Sequence, residues 1–217
     1  FETRYGTPER LQDAVSSYAV RIASLDSSCR AIDTTLEGRT EVQALAPWAT
    51  AVGASAIRVF DGGERGDELE LNSMQPLFDW WQDLDVAPEL IVETHDALAD
   101  VTVLQRFIER YPRIGILWDT HHTWKAGGEA PSMTWSRLRG RTRHLHVKDS
   151  GASGGYVVPG AGVFPFSELI ESLRADAFDG IISLEWERHW YPELPPIEQA
   201  LDGFDTVLTP AIASNAP

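Results

Sequence analysis

A chain of 217 residues, 43% apolar and 24% charged, has the size and composition of one packed globular domain rather than of a disordered or fibrous protein. Its 33 acidic and 18 basic residues leave a formal charge of -15, which argues against nucleic acid or an anionic membrane as a partner. The single cysteine, Cys29, excludes an intrachain disulfide and suits a reducing, cytoplasmic setting, and no apolar stretch reaches the length that spans a bilayer.

Apolar runs alternate with segments of helical period along the whole length, the pattern of α/β architecture with parallel strands. The first strand is a fragment at residues 1–4, and Thr7-Pro8 then opens a helix carrying Leu11, Val15 and Tyr18. A strand over 21–27 leads to a helix opened by Thr40 and closed by Gly53, and strand Ala56–Phe60 runs into the Asp61-Gly62-Gly63 turn. A helix over 73–84 precedes strand 89–94. A helix marked by Val101, Leu104, Phe107, Ile108 and Tyr111 follows and stops at Pro112, directly before strand 114–119.

A glycine-containing loop near Gly127-Gly128 and a short helix near Trp135 then lead to strand Thr142–Val147. The loop 151–162 holds five glycines, as pocket-shaping loops at strand carboxyl ends do. Phe166, Leu169, Ile170 and Leu173 mark the next helix, 180–186 the last strand and 197–208 the final helix, whose surroundings include Trp190 and Phe204 and offer a surface for a homodimer. These seven βα units predict a TIM (β/α)8-type barrel lacking its first unit, with 1–210 as a single domain and 211–217 as a disordered tail.

Four potential ligands sit near the carboxyl ends of successive strands: Glu93, Asp119, His146 and Glu185, spaced by 26, 27 and 39 residues. In a parallel barrel those ends converge on one face, so residues distant in sequence can meet around an ion or a substrate. Glu93 and His95 alternate on one strand and share a side, as do His144, His146 and Lys148. In an extended segment His121 and His122 cannot both point inward; His122 is the expected inward member, with His121 packed or bonded to the loop.

Lys148 beside a substrate oxygen would stabilise an enolate-like anion. Glu185 is the better ligand than Glu187, which is expected to pair with Arg188 or a neighbour. Trp124, Trp186 and Trp190 are placed to wall a pocket against the C–H face of a sugar. Taken singly, each residue also has a structural reading: a strand-end carboxylate, a satisfied histidine, a lysine reaching solvent at the rim. Together, three carboxylates and one imidazole suit a hard or borderline divalent ion, Mn first, with Mg, Co or Zn as alternatives. Such an ion polarises a carbonyl so that a carboxylate can remove the neighbouring proton.

Val92-Glu93-Thr94-His95, Trp118-Asp119-Thr120-His121-His122, His144-Leu145-His146-Val147-Lys148-Asp149 and Ser183-Leu184-Glu185-Trp186-Glu187 resemble, in order, four motifs of the xylose isomerase-like TIM-barrel superfamily, in particular its sugar phosphate isomerase/epimerase branch. The resemblance implies Glu93, Asp119, His146 and Glu185 as ligands of one divalent metal and His122 as a substrate contact, with Glu93 and Glu185 exchanging the substrate proton. The ketose 3-epimerases of this group carry an arginine six residues beyond the metal histidine, where this chain has Ala152, and His-Val-Lys-Asp is closer to the inosose dehydratase pattern. Endonuclease IV, with extra histidines and a histidine-bearing loop, is a poor match to Phe60-Asp61 and to the histidine-free loop 151–162.

The expected activity is a metal-dependent isomerase or epimerase of a small polyhydroxy carbonyl compound, with Glu185 as base and Glu93 as acid, and with His95, His122, Lys148, Trp124 and Trp186 as substrate contacts. An inosose dehydratase-like lyase and a non-catalytic carbohydrate-binding barrel are the alternatives.

Overall fold

The structure, a computed structural model, describes residues 1–212, with side chains through Leu208. The chain divides into two units, Phe1–Leu117 and Trp118 onward, each made of parallel strands with covering helices.

In the first unit α1 (Glu2–Tyr5) and α2 (Pro8–Ser16) precede β1 (Ser24–Arg30). Then come α3 (Leu36–Val52), β2 (Ala56–Phe60), α4 (Glu68–Ser73), α5 (Gln75–Asp83), β3 (Glu89–Glu93), α6 (Val101–Arg110) and β4 (Gly115–Asp119), whose last two residues open the second unit. Strands β1 to β4 pair in parallel in chain order. β2 and β3 are buried almost throughout, as strands covered on both faces must be. Ala56, Ile91 and Leu117, one from each of three adjacent strands, form a core cluster.

Local chemistry accounts for the helix ends. The Thr7 side chain accepts from Arg10 N with Pro8 at the first helical position, and Asp100 accepts from Thr102 N and Val103 N to start α6. Gly53 closes α3 in the left-handed conformation at φ 69, which an L side chain adopts only at a cost.

Several elements depart from the sequence expectation. Residues 1–4 belong to a helical turn, not a strand: the Phe1 carbonyl accepts from Arg4 N and Tyr5 N, and its ring stacks on Trp48 of α3. Among the described residues the long strands therefore number six rather than seven. β1 lies three residues later than expected because it pairs with β2 from Ser24↔Ala56 to Asp26↔Arg58 and again, past a register shift, at Arg30↔Phe60. α3 starts at Leu36, capped by the Thr35 hydroxyl, which accepts from Gly38 N, while Thr40 lies inside the helix and donates to Leu36 O. The helix expected over 73–84 is two helices that meet at Met74, because the Asp67 side chain, accepting from Glu70 N, caps an earlier start.

The second unit contains α7 (Thr120–Lys125), α8 (Pro131–Leu138), β5 (Thr142–Val147), β6 (Asp149–Ser150), β7 (Tyr156–Val157), α9 (Phe166–Ala175), β8 (Ile181–Leu184) and α10 (Ile197–Ile212). β5 and β8 are parallel neighbours, from His144↔Ile181 to Val147↔Leu184, and β6 and β7 form a small antiparallel hairpin inside the glycine-rich loop. Trp135 of α8 stacks on Trp118 and meets Phe178 edge-on, tying helices to the strand end. The tail expected to be disordered beyond Pro210 lies, from 213 on, outside the described residues. Among the described residues no helix is long and apolar enough to cross a membrane.

The loop after β2 turns on Asp61, which is fully buried and accepts from the backbone N–H of Gly62, Asp96 and Leu98. Burial pushes its carboxyl up to about 6, against the pull of those three donors. Because the folded value lies above the unfolded one, the site favours the fold most below about pH 4 and loses that contribution as pH rises through about 6. The loss is about 3 kcal/mol by linkage. Urea unfolding between pH 4 and pH 7 should show this decline in the wild type, and Asp61→Asn should remove it; parallel slopes in the two proteins would refute the assignment.

Candidate metal and proton-transfer site

In the first unit, Glu93 ends β3 and is 1% exposed. Its Oε2 lies 3.0 Å from Nε of Arg58 on β2. His95 lies beyond the strand end, where its ring packs edge-on against Phe60 and its Nδ1 is 2.9 Å from Asp96 Oδ1. Strand alternation therefore does not carry from Glu93 to His95, because the strand stops between them. Asp61, His95 and Asp96 could offer ligand atoms within 4.8 Å of one another, but the Asp61 oxygens already accept three backbone N–H groups.

The second unit gathers Asp119, His122, His146, Lys148 and Glu185. Asp119 is the last residue of β4 and the N-cap of α7: its Oδ1 accepts from His121 N and His122 N. Residues 120–125 are thus helical rather than extended, since a buried carboxylate at a strand end satisfies the first free amides of a helix. His122 folds back so that its Nδ1 is 3.3 Å from Asp119 Oδ2. His121 turns to the loop, is buried and shares a hydrogen bond with Ser150 Oγ through Nε2. Burial, then the charge of Lys148, pushes His121 down to about 4, so it is neutral at physiological pH.

His146, near the end of β5, holds its Nδ1 3.7 Å from Glu185 Oε2. Its carbonyl accepts from Thr120 Oγ1, and its ring meets that of His144 at 5.0 Å, as expected for alternating residues on one face. Glu185 follows β8, where its amide donates to Val147 O and continues the ladder by one residue.

Lys148 is 2% exposed, which overturns the solvent-reaching alternative. Its Nζ lies 3.0 Å from Asp119 Oδ2, 2.8 Å from Glu185 Oε2 and 2.9 Å from Glu187 Oε1. Burial disfavours the ammonium, but Asp119 and Glu185 outweigh it and hold Lys148 well above the ordinary lysine range. Burial also raises Glu185, as does Asp119, whose side chain hydrogen-bonds to it. Glu187 pairs with Lys148, while Arg188 instead donates to Leu194 O.

The aromatic residues divide. Trp124 packs edge-on against Phe164 and beside His121, on the side of the hairpin that carries Tyr156. Trp186 donates from Nε1 to Pro195 O and orders the approach to α10, and Trp190 is 74% exposed. Sequence reasoning passed over Asp149 and Tyr156. Asp149 is buried and accepts from the amides of Ser150, Gly160, Gly162 and Phe164, so one carboxylate folds the whole glycine-rich loop. A Cβ at Gly162 would collide with Asp149 Oδ1 and Ser150 O, which explains glycine there. Tyr156, presented by that loop, lies with its ring 5.5 Å from Lys148 Nζ, and burial pushes its hydroxyl up to about 12. An Asp beside Lys followed by paired glycines was the available sign of this loop.

The model of the xylose isomerase-like TIM barrels matches residues 2–207. The chain belongs to this family. Among curated proteins it is similar to the inosose dehydratase of Lacticaseibacillus casei, 28% identical over a segment covering 35% of this chain. That segment is 31% of the relative's length. Among solved structures it resembles a probable 3-DHS dehydratase, AsbF, from Bacillus anthracis, with a TM-score of 0.73 and 18% identity over 93% of this chain and 82% of that one. It also resembles the 3-keto-D-glucoside 4-epimerase YcjR of E. coli, with a TM-score of 0.71 and 16% identity over 93% and 84%. A third, the IOLI protein with a bound zinc atom, has a TM-score of 0.73 and 12% identity over 96% and 82%. The α/β fold is therefore that of the family's barrels, and these relatives include both epimerase and dehydratase enzymes.

The second unit's donor set fits a divalent ion of this family. Two carboxylates close enough to hydrogen-bond, with imidazoles beside them, concentrate oxygen and nitrogen ligands where negative charge demands a cation. Lys148 supplies such a charge. Replacing Lys148 with Met should cost about 3 kcal/mol in chelator-treated protein by leaving these carboxylates uncompensated. The loss should shrink as the pH is lowered, because burial and Asp119 raise Glu185 and so bring its neutral form within reach first. Equal stability of the two proteins at pH 8 in urea would exclude this role.

Proposed function

We propose that this protein is a divalent-metal-dependent isomerase or epimerase of a small polyhydroxy carbonyl compound, working by proton transfer at the carbon beside the carbonyl. The observation that carries the reading is the convergence of Asp119, His146, Lys148 and Glu185 at strand ends of the second unit. The family resemblance adds Glu93 as a fourth ligand and supports Asp119, His146 and Glu185 as the others. Bound there, the ion, with manganese first among Mn, Mg, Co and Zn, would polarise the carbonyl and an adjacent hydroxyl.

The chain's own groups supply the proton path. Burial and the neighbouring Asp119 make Glu185 more basic than an ordinary glutamate, which suits it to take the carbon-bound proton. As the C–H bond breaks, its electron pair moves toward the carbonyl oxygen, where the Lys148 ammonium opposes the developing charge. The return of a proton on the opposite side is assigned to Glu93. His122 and His95 are assigned to substrate hydroxyls, and Trp124 and Trp186 to its C–H face.

A second reading, a dehydratase, is favoured by one observation. Lys148 is a buried, charged donor beside the proposed base, and His146-Val147-Lys148-Asp149 follows the inosose dehydratase pattern. In that case Lys148 would protonate the departing hydroxyl as Glu185 removes the proton.

Incubation with candidate ketoses and inososes in deuterated water should place deuterium at the carbon beside the carbonyl. Glu185→Gln should slow that exchange about 10²–10⁴-fold, the range of a lost general base. Exchange that survives the substitution would end the proton-transfer role, and an alkene or enol product in place of an epimer would select the dehydratase.

A further inference from the structure

Arg58 sits in the middle of an apolar strand, Ala56-Ile57-Arg58-Val59-Phe60, yet is only 9% exposed. A guanidinium is costly to bury unless it is fully engaged. Here it reaches across three neighbouring strands. Nη2 lies 3.4 Å from Asp26 Oδ2 on β1, Nη1 donates to Ser27 O at 2.9 Å, and Nε lies 3.0 Å from Glu93 Oε2 on β3. Its cationic carbon stands 3.9 Å from the Phe60 ring centroid, so the fork is packed on a π face as well. Ser27 Oγ in turn donates to Arg58 O at 2.8 Å. The register explains the reach: Asp26 is directly opposite Arg58, and Glu93 is opposite Phe60, two residues nearer the strand's carboxyl end.

We infer that Arg58 is a positioning residue for Glu93: its charge, 3.0 Å from Oε2 in an ion pair without hydrogen-bond alignment, holds the carboxylate at the end of β3 so that it serves as a ligand. The inference rests on the proposed reading of Glu93 as a metal ligand. An ion pair buried for stability alone gains little over two apolar side chains of the same size, so stability by itself gives small reason to keep both Arg58 and Glu93. A carboxylate ligand, by contrast, must be ionised and held in one orientation, and groups that hold ligands tune metal affinity strongly. Lysine could not substitute: a single ammonium cannot reach Asp26, Ser27 O and Glu93 together or lie flat on Phe60.

The test is Mn²⁺ titration of chelator-treated protein, followed by the electron paramagnetic resonance signal of free Mn²⁺, with circular dichroism and melting temperature recorded on the same samples. Arg58→Met should remain folded and bind Mn²⁺ about 10–100-fold more weakly than wild type, and Arg58→Lys should fall between the two. A purely structural Arg58 would lower the melting temperature and leave Mn²⁺ affinity unchanged, and that result overturns the inference. Should Arg58→Met not fold, Arg58→Lys decides: wild-type affinity in the lysine variant overturns the inference as well. Glu93→Gln separates the two levels. If it binds Mn²⁺ as wild type does, or if the wild type takes up none, the reading of Glu93 as a ligand fails; weak binding by Glu93→Gln beside normal binding by Arg58→Met removes only the role of Arg58.

Discussion

A carboxylate withdrawn from water must be given either a cation or a set of hydrogen-bond donors, and that requirement shapes both units. In the second unit one ammonium, Lys148, answers Asp119, Glu185 and Glu187 at distances of 2.8 to 3.0 Å. In the first unit one guanidinium, Arg58, answers the buried Glu93 and also pairs with the exposed Asp26 inside β1. Both cations lie on or beside a strand, both are nearly inaccessible, and each meets a buried acid at a strand carboxyl end, Asp119 or Glu93, where a TIM barrel places its chemistry.

Where no side-chain cation is at hand, the backbone does the same service. Asp61 accepts three amides and Asp149 four, and each thereby folds the loop that follows its strand. Glu70 combines the two devices, accepting from Arg65 N and Gly66 N while the Arg65 guanidinium lies 3.5 Å from its other oxygen. Loops held by a single buried anion can vary in length and sequence around it, provided amides still converge. That is one physical route by which a shared barrel supports different substrates, since pocket-shaping loops change while the strands do not.

Lys148 joins two sets of groups in the second unit, the acids Asp119, Glu185 and Glu187 on one side and the tyrosine of the hairpin on the other. Ala152, in place of the arginine of ketose 3-epimerases, falls in the same loop and leaves that loop free of charged side chains between Gly151 and Gly162.

By itself the sequence determined the α/β class, the strands Ala56–Phe60 and Thr142–Val147, and the position of each acidic or imidazole residue at a strand end, because these follow from apolar period and strand length. Its errors came where nonlocal contacts overrule local pattern. Phe1 joins a helical turn because Trp48 receives its ring, and β1 reaches Arg30 because β2 offers it Phe60 across a register shift; His121-His122, by contrast, are helical for a local reason, the cap that Asp119 provides. Lys148 could equally have reached solvent; only the three acids brought around it by separate segments decided its burial. Arg58 was visible as a charge in an apolar strand, but its partners lie 32 and 35 residues away in sequence. Which charge answers which depends on strand order and register, which no periodicity along the chain encodes.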